Sequence, residues 1–282
     1  MHAVKRTVIM LSLCWSFFIA KGTCSEPANL PQKEAKLAAL FAKISVKHTD
    51  GENLVFADSI NNLLNETLLL PGSFEYLFDQ LKSMGKITSS DQKIRIFTWN
   101  LPNKDGTNRF YGFLLRKTGN GGNIHVFQLT DRSETIEDPA TATLDANNWY
   151  GCLIYAIVEK KISGDTYYTL LGYHPENLFT SRKLVDILWF NDKSEPAFGK
   201  AVFHFNKQLQ CRILFEYSAK VQMSLNWNDT RDMIVYDHLS PLKPSYAGNF
   251  QFYGPDLSYD GLKFEKGVWE VLEDLDVRNS NE

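Results

Sequence analysis

Two hydrophobic rhythms divide this chain. Up to about residue 90, apolar side chains recur every three or four positions; from about residue 92 they alternate with polar ones. The first spacing places them on one face of a helix, and the second on one face of a strand. Pro31 opens QKEAKLAALFAKISVK, where Leu37, Leu40, Phe41 and Ile44 form a stripe and Lys33, Lys36, Lys43 and Lys47 lie off it. Proline suits a first helical turn, because the amide it lacks has no partner there. A second helix is predicted to start at Asp58 or Ser59, to carry Ile60, Leu63, Leu64 and Leu68, and to stop at Pro71-Gly72. A third is predicted from a Ser73 cap to Gly85, with Phe74, Leu77, Phe78, Leu81 and Met84 along one side.

The second rhythm predicts strands in quick succession: KIRIFTW, RFYGFLL, NIHVFQL, WYGCLIYAIVE, TYYTLLGY, KLVDILWF, AVFHF, CRILFEYS, VQMSLNW, MIVYD, FQFY and VWEVLEDL. Asp105-Gly106 and Gly164-Asp165 are hairpin turns by composition. GNGG at 119–122 falls between two strands, and with no helix after it this is not a dinucleotide loop. In CRILFEYSAKVQMSLNW, a three-residue connection, Ser218-Ala219-Lys220, keeps both apolar sets on one face; it predicts a hairpin pairing Tyr217 with Val221 and Phe215 with Met223. WYGCLIYAIV is apolar on both faces, which predicts a central strand covered on each side. The expected fold is mainly β (α+β): a signal segment at 1–22, a helical N-terminal segment at 23–90, and a large antiparallel β sandwich or barrel at 91–282.

The first residues follow neither rhythm. Lys5 and Arg6 precede a 14-residue apolar run, TVIMLSLCWSFFIA, and Ala20 and Gly22 stand where a signal peptidase reads small residues. This pattern predicts a secretory signal peptide. The run is short of the ~20 residues a membrane span needs, and no later segment spans either. The alternative is a lipid anchor on Cys24, but Lys21 and Thr23 depart from the usual acceptor context. Cutting after Gly22 leaves 27 basic against 33 acidic residues, a net −6 with the basic residues scattered. Nucleic-acid binding needs clustered positive charge, so that class is excluded.

The chemistry-bearing motifs are few. The chain has no G-x-S-x-G, H-E-x-x-H, C-x-x-C or Walker loop, and EDLDVRN puts Arg278 where a calcium loop needs its third ligand. No cofactor or metal is expected. Cys152 and Cys211, both in strand-like runs, either bridge in an oxidising compartment or stay as two buried thiols. His125 and His204 fall within alternating strands, whereas His174 and His238 end strands before proline-containing loops. The stretch FYGPDLSYDG reads as two tight turns, Gly254-Pro255-Asp256-Leu257 and Tyr259-Asp260-Gly261-Leu262. The competing reading brings Asp256 and Asp260 to one mouth with Asp237 and His238, as acid, base or metal ligands.

Several long stretches carry a resemblance: KIRIFTWNLPNKDGTNRFYGFLL, YYTLLGYHPENLFTSRKLVDILWFND, EPAFGKAVF, CRILFEYSAKVQMSLNW, MIVYDHLSP and FYGPDLSYDG. Over about residues 60–279 the chain resembles an uncharacterised family of secreted proteins from Bacteroidetes bacteria. The resemblance implies a Gram-negative envelope location, periplasm or outer-membrane surface, and it carries over no activity and no functional residue. Two functions compete. One is a non-catalytic binding or assembly module for envelope proteins or glycans, with Trp99, Trp149, Tyr173, Tyr253 and Tyr259 as candidate platforms. The other is a hydrolase of envelope polymers built on Asp237, His238, Asp256 and Asp260.

Overall fold

A computed structural model describes residues 29–119 and 122–276. The signal segment, Cys24 and Arg278 lie outside the described residues. Helix α1 (Leu30–Phe41) begins one residue before Pro31. Helix α2 (Asp50–Leu68) starts eight residues earlier than the apolar stripe indicated. Thr49 accepts from the Glu52 amide while Glu52 reaches back to the Thr49 amide, and this reciprocal cap sets the start. Asp58 is therefore a mid-helix residue.

The third predicted helix is a series of turns. Phe78 takes a left-handed backbone (φ 53°), and Leu77 is exposed while Phe74, Phe78, Leu81 and Met84 are buried. The carbonyls a helix would pair internally are taken from outside. Arg95 Nη1 donates to Ser73, Phe74 and Tyr76, and Lys86 Nζ donates to Phe78 and Leu81. Apolar spacing alone could not reveal two cations arriving from the two strands that follow.

Three sheets follow. The first is a meander of β1 (Gly85–Thr88), β2 (Ile94–Pro102), β3 (Asn108–Thr118) and β4 (Asn123–Thr130). The second contains β5 (Leu144–Asp145), β6 (Leu153–Ile162), β7 (Asp165–Pro175), β8 (Thr180–Phe190), β9 (Pro196–Phe198) and β12 (Arg212–Ser218). The third contains β10 (Phe203–Phe205), β11 (Gln208–Gln210), β13 (Leu225–Asn228), β14 (Met233–Pro241), β15 (Tyr253–Glu265) and β16 (Val268–Leu272). Pairing is antiparallel throughout except between β10 and β16. Asp105-Gly106 lies in the expected hairpin turn, with Gly106 at φ 88°, whereas the β6–β7 turn is Ser163-Gly164, one residue before the expected Gly164-Asp165, with Gly164 at φ 97° and Asp165 opening β7.

The layers stack as helices, first sheet, second sheet and third sheet. Leu37, Ile60 and Leu64 pack on Phe97, Trp99 and Phe113 of the first sheet. The other face of that sheet packs Ile96 and Leu114 on Leu170 and Leu184. Leu171, Val185 and Ile213 of the second sheet meet Ile234, Leu262 and Trp269 of the third. Each such fully buried side chain contributes about 1.5–3 kcal/mol of hydrophobic stabilisation. The result is mainly β, sandwich-like and not a closed barrel. The two-sided apolar pattern of WYGCLIYAIV belongs to the middle layer, but β6 lies at that sheet's edge, so the covering comes from sheets above and below and not from a central place in the ladder.

Three strand assignments change, the first being FQFY, whose Phe250–Phe252 form a short 3-10 turn before β15. The predicted hairpin at 211–227 does not form: β12 pairs with β8, and β13 with β14. Its alternating faces are real, but β12 belongs to the second sheet and β13 to the third. FYGPDLSYDG is likewise no pair of turns, since from Tyr253 onward it runs within one long strand, β15, broken by a bulge. Cys152 and Cys211 are free, buried thiols. Cys152 packs in the core between the first two sheets, whereas the Cys211 thiol is engaged by Thr143.

A buried ion pair fastens β12 to the middle sheet. Arg212 Nε donates to Asp186 Oδ2 at 2.7 Å, Arg212 Nη1 donates to the Pro139 carbonyl at 2.6 Å, and the Ile187 amide donates to Asp186 Oδ1. Burial pushes the Asp186 carboxyl upward, and Arg212 pulls it back.

Candidate functional site

Strands β14 and β15 run in register through Tyr236–Asp260 and Asp237–Tyr259, and then the ladder jumps to Leu239–Pro255. Asp256, Leu257 and Ser258 bulge opposite His238. Leu257 takes φ 75° and is 91% exposed, an uncommon conformation for a branched residue. The bulge is held locally, as Asp256 Oδ1 accepts from the Ser258 amide (3.1 Å) and hydroxyl (2.7 Å). Those bonds hold the Asp256 carboxyl below the usual carboxylate range.

The interrupted ladder lets the His238 ring reach across to Asp260. His238 Nδ1 lies 2.7 Å from Asp260 Oδ2, and Asp260 Oδ1 accepts from the Asp274 amide at 3.1 Å. Asp260 is buried, while the His238 side chain is about half exposed (47%). The hydrogen bond to Asp260 raises the imidazole pKa above its ordinary value, against a smaller opposing effect of burial.

This pair borders a cleft of about 680 Å³ between β12 and the third sheet. Phe205, Phe250 and Tyr253 supply aromatic surface over the buried rings of Phe215 and Tyr236, and Glu216, Asp237 and Glu273 line it with carboxylates beside buried Asp260. Phe215 and Tyr236 lie 4.7 Å apart, and Phe250 and Tyr253 lie 5.0 Å apart. Among the described residues, no Ser, Thr or Cys lines the cleft. No described group of three or more His, Cys, Asp or Glu residues is placed to hold a metal ion.

Of the four acid–base candidates, Asp237, His238 and Asp260 border this cleft and Asp256 does not. Asp237 Oδ2 accepts from the Ser224 amide at 2.7 Å, which ties it to the segment before β13. Asp256 borders a second cavity on the other side of Tyr253. Three of the four groups thus share one cleft, while Asp256 lines the neighbouring cavity and is still near enough to act electrostatically on His238.

The five aromatic candidates separate as well. Trp99 and Trp149 are core residues, each 1% exposed, and Trp99 stacks on Tyr111 at 4.1 Å. Tyr173 bonds to Ser181 at 3.2 Å, away from the cleft. Tyr259 is half-buried and is not part of the cleft lining. Tyr253 borders the cleft, with its hydroxyl accepting from the Gly248 amide at 2.9 Å.

Two cleft features were not singled out in the sequence. His204, read as a strand wall residue, is exposed at the cleft rim with Nδ1 2.6 Å from Glu270. Glu216 links the cleft to a network through Arg182, which also bonds Glu176 and the Tyr150 hydroxyl; Glu176 in turn meets buried His174 at 3.0 Å. A single polar residue within an alternating strand gave no signal for either.

No family model, curated protein or solved structure matches this chain. What the cleft can do follows from its own side chains. His238 with Asp260 can accept or donate a proton, the aromatic rings can pack against apolar or sugar surface, and the carboxylates favour cationic groups. No described helix is long and apolar enough to cross a membrane.

Proposed function

We propose that this chain is an exported envelope protein acting as a non-catalytic binding or assembly module, with the cleft between β12 and the third sheet as its binding surface. One observation carries the reading. The cleft combines aromatic surface with carboxylates already engaged, Asp237 by the Ser224 amide and Asp260 by His238 and the Asp274 amide, and its lining has no Ser, Thr or Cys nucleophile. Groups so committed hold a shape and a charge pattern, which suits recognition. Export is supported by Lys5-Arg6 ahead of the apolar run Thr7–Ala20 and the small residues Ala20 and Gly22.

A hydrolase of envelope polymers is the second reading, and the observation that favours it is the half-exposed His238 beside buried Asp260, a general-base geometry. Binding and turnover on envelope glycans and on a peptide array separate the two. The binding reading expects retained, chemically unchanged ligand, with affinity at least about tenfold weaker in a Phe250→Ala/Tyr253→Ala variant. Soluble product that disappears with His238→Ala would establish the hydrolase instead.

A further inference from the structure

The cleft has a second wall besides its side chains, the outer edge of β12. One edge of β12 pairs with β8, no described strand pairs with the other, and the Phe250–Phe252 turn packs beside β12 without pairing to it. The direction of its backbone groups follows from the ladder. Ala219 donates its amide to the Phe179 carbonyl at 2.8 Å, continuing the β8–β12 register by one residue. Amides alternate sides along an antiparallel strand, so those of Ile213, Phe215 and Tyr217 also face β8. The amides of Arg212, Leu214 and Glu216 face away from it. Arg212 fits this alternation, since its amide reaches the Ala140 carbonyl at 3.2 Å.

Leu214 and Glu216 therefore turn one N–H and one C=O each away from β8, and both residues border the cleft. No described residue is hydrogen-bonded to these four groups. Their spacing, two residues along a strand, is about 7 Å. That alternating donor–acceptor pattern is matched by the main chain of another extended segment.

From this edge we infer that the cleft binds an extended peptide segment of another protein by strand addition to β12, at Leu214 and Glu216. The inference rests on the binding-module reading and names its partner class. Side-chain preferences follow from the lining. Phe205 and the exposed Phe250 offer apolar surface, and Asp237 and Glu273, neither of them buried, outnumber the single lysine, Lys207. The fitting segment alternates apolar and basic side chains, with the backbone supplying affinity and the alternate side chains supplying selectivity.

The test starts from a displayed random heptapeptide library selected on the mature protein, with a glycan array run beside it. The selected peptides are then measured against Glu216→Pro and Glu216→Ala. Both substitutions remove the Arg182 partner, but only proline removes the outward amide, and it does so without touching the ladder to β8. The expected result is enrichment of alternating apolar–basic peptides, at least tenfold weaker binding to Glu216→Pro than to Glu216→Ala, and a comparable loss when the peptide is N-methylated at alternate residues. The methylated peptide uses the unaltered protein, so the question is answered even if the proline variant fails to fold. Peptides whose binding is indifferent to N-methylation overturn strand addition. Glycan binding without peptide binding overturns the peptide inference and leaves the binding module standing. Peptide bound and then cleaved removes the non-catalytic reading while strand addition survives.

Discussion

His238 on β14 and Asp260 on β15 meet at 2.7 Å across a ladder whose register breaks between Asp237 and Leu239. A regular ladder would place Ser258 opposite His238; the bulge removes it and leaves the ring to a diagonal, buried carboxylate. The raised His238 pKa follows, and so does its pH signature. A histidine whose folded pKa exceeds its unfolded value adds stability that is fully present below about pH 6.5 and is lost as pH rises through the folded pKa. With the ring half exposed, that contribution stays below about 1 kcal/mol. An NMR titration should find His238 above the ordinary histidine value in the wild type and shifted downward in Asp260→Asn. An unshifted His238 in the wild type would contradict the pairing.

Arg212 and Asp186 should dominate the polar contribution to stability. Arg212 is wholly buried, and replacing it with Met leaves the Asp186 carboxylate without its partner. Breaking a buried pair from one side costs about 3–5 kcal/mol. Urea unfolding of Arg212→Met should show a loss of that size, with Asp186→Asn/Arg212→Met recovering part of it.

Leu257 should tolerate glycine and resist valine. At φ 75° and 91% exposed, its side chain contributes strain and little packing. Leu257→Gly is expected to be neutral or stabilising by up to about 1 kcal/mol, after the extra entropy of the unfolded glycine is set against relieved strain. Leu257→Val, β-branched in a left-handed conformation, should destabilise. Thermal melts of the two variants check the ordering.

Cys152 and Cys211 should resist alkylation until the chain unfolds. Burial pushes both thiols upward, Cys152 far enough to suppress its thiolate. Peptide mapping after iodoacetamide treatment should find both unmodified in the native protein and both modified in denaturant, without prior reduction. A linked pair of peptides would mean a disulfide.

The layers were legible where the apolar pattern alone decides. Alternation in IRIFTW or TYYTLLGY predicts a strand irrespective of its partner, and both strands are present. Partnership was less legible. The segment after Tyr217 could close a hairpin on its apolar pattern, yet β12 joins β8, where Arg212 meets Asp186 of the middle sheet, a contact the apolar pattern does not show. The turns at Ser73–Met84 replaced a helix for a similar reason, since Arg95 and Lys86 claim the carbonyls. At the site, the sequence offers the grouping of His238 with Asp260 as one of two readings, while Asp256 bonds Ser258 two residues away. The open edge of β12 could not be seen without knowing which strand occupies its other side.

The central claim, that the cleft beside β12 is a binding surface, is tested most directly by site-specific photocrosslinking in the native cell. A photoreactive residue is placed at Phe250, on the cleft, and separately at Lys36, on exposed α1. The account predicts a discrete adduct from position 250 that is absent from position 36 and is lost when Glu216→Pro is added. Equal crosslinking from both positions, or none from position 250 while the folded protein is present, would contradict it.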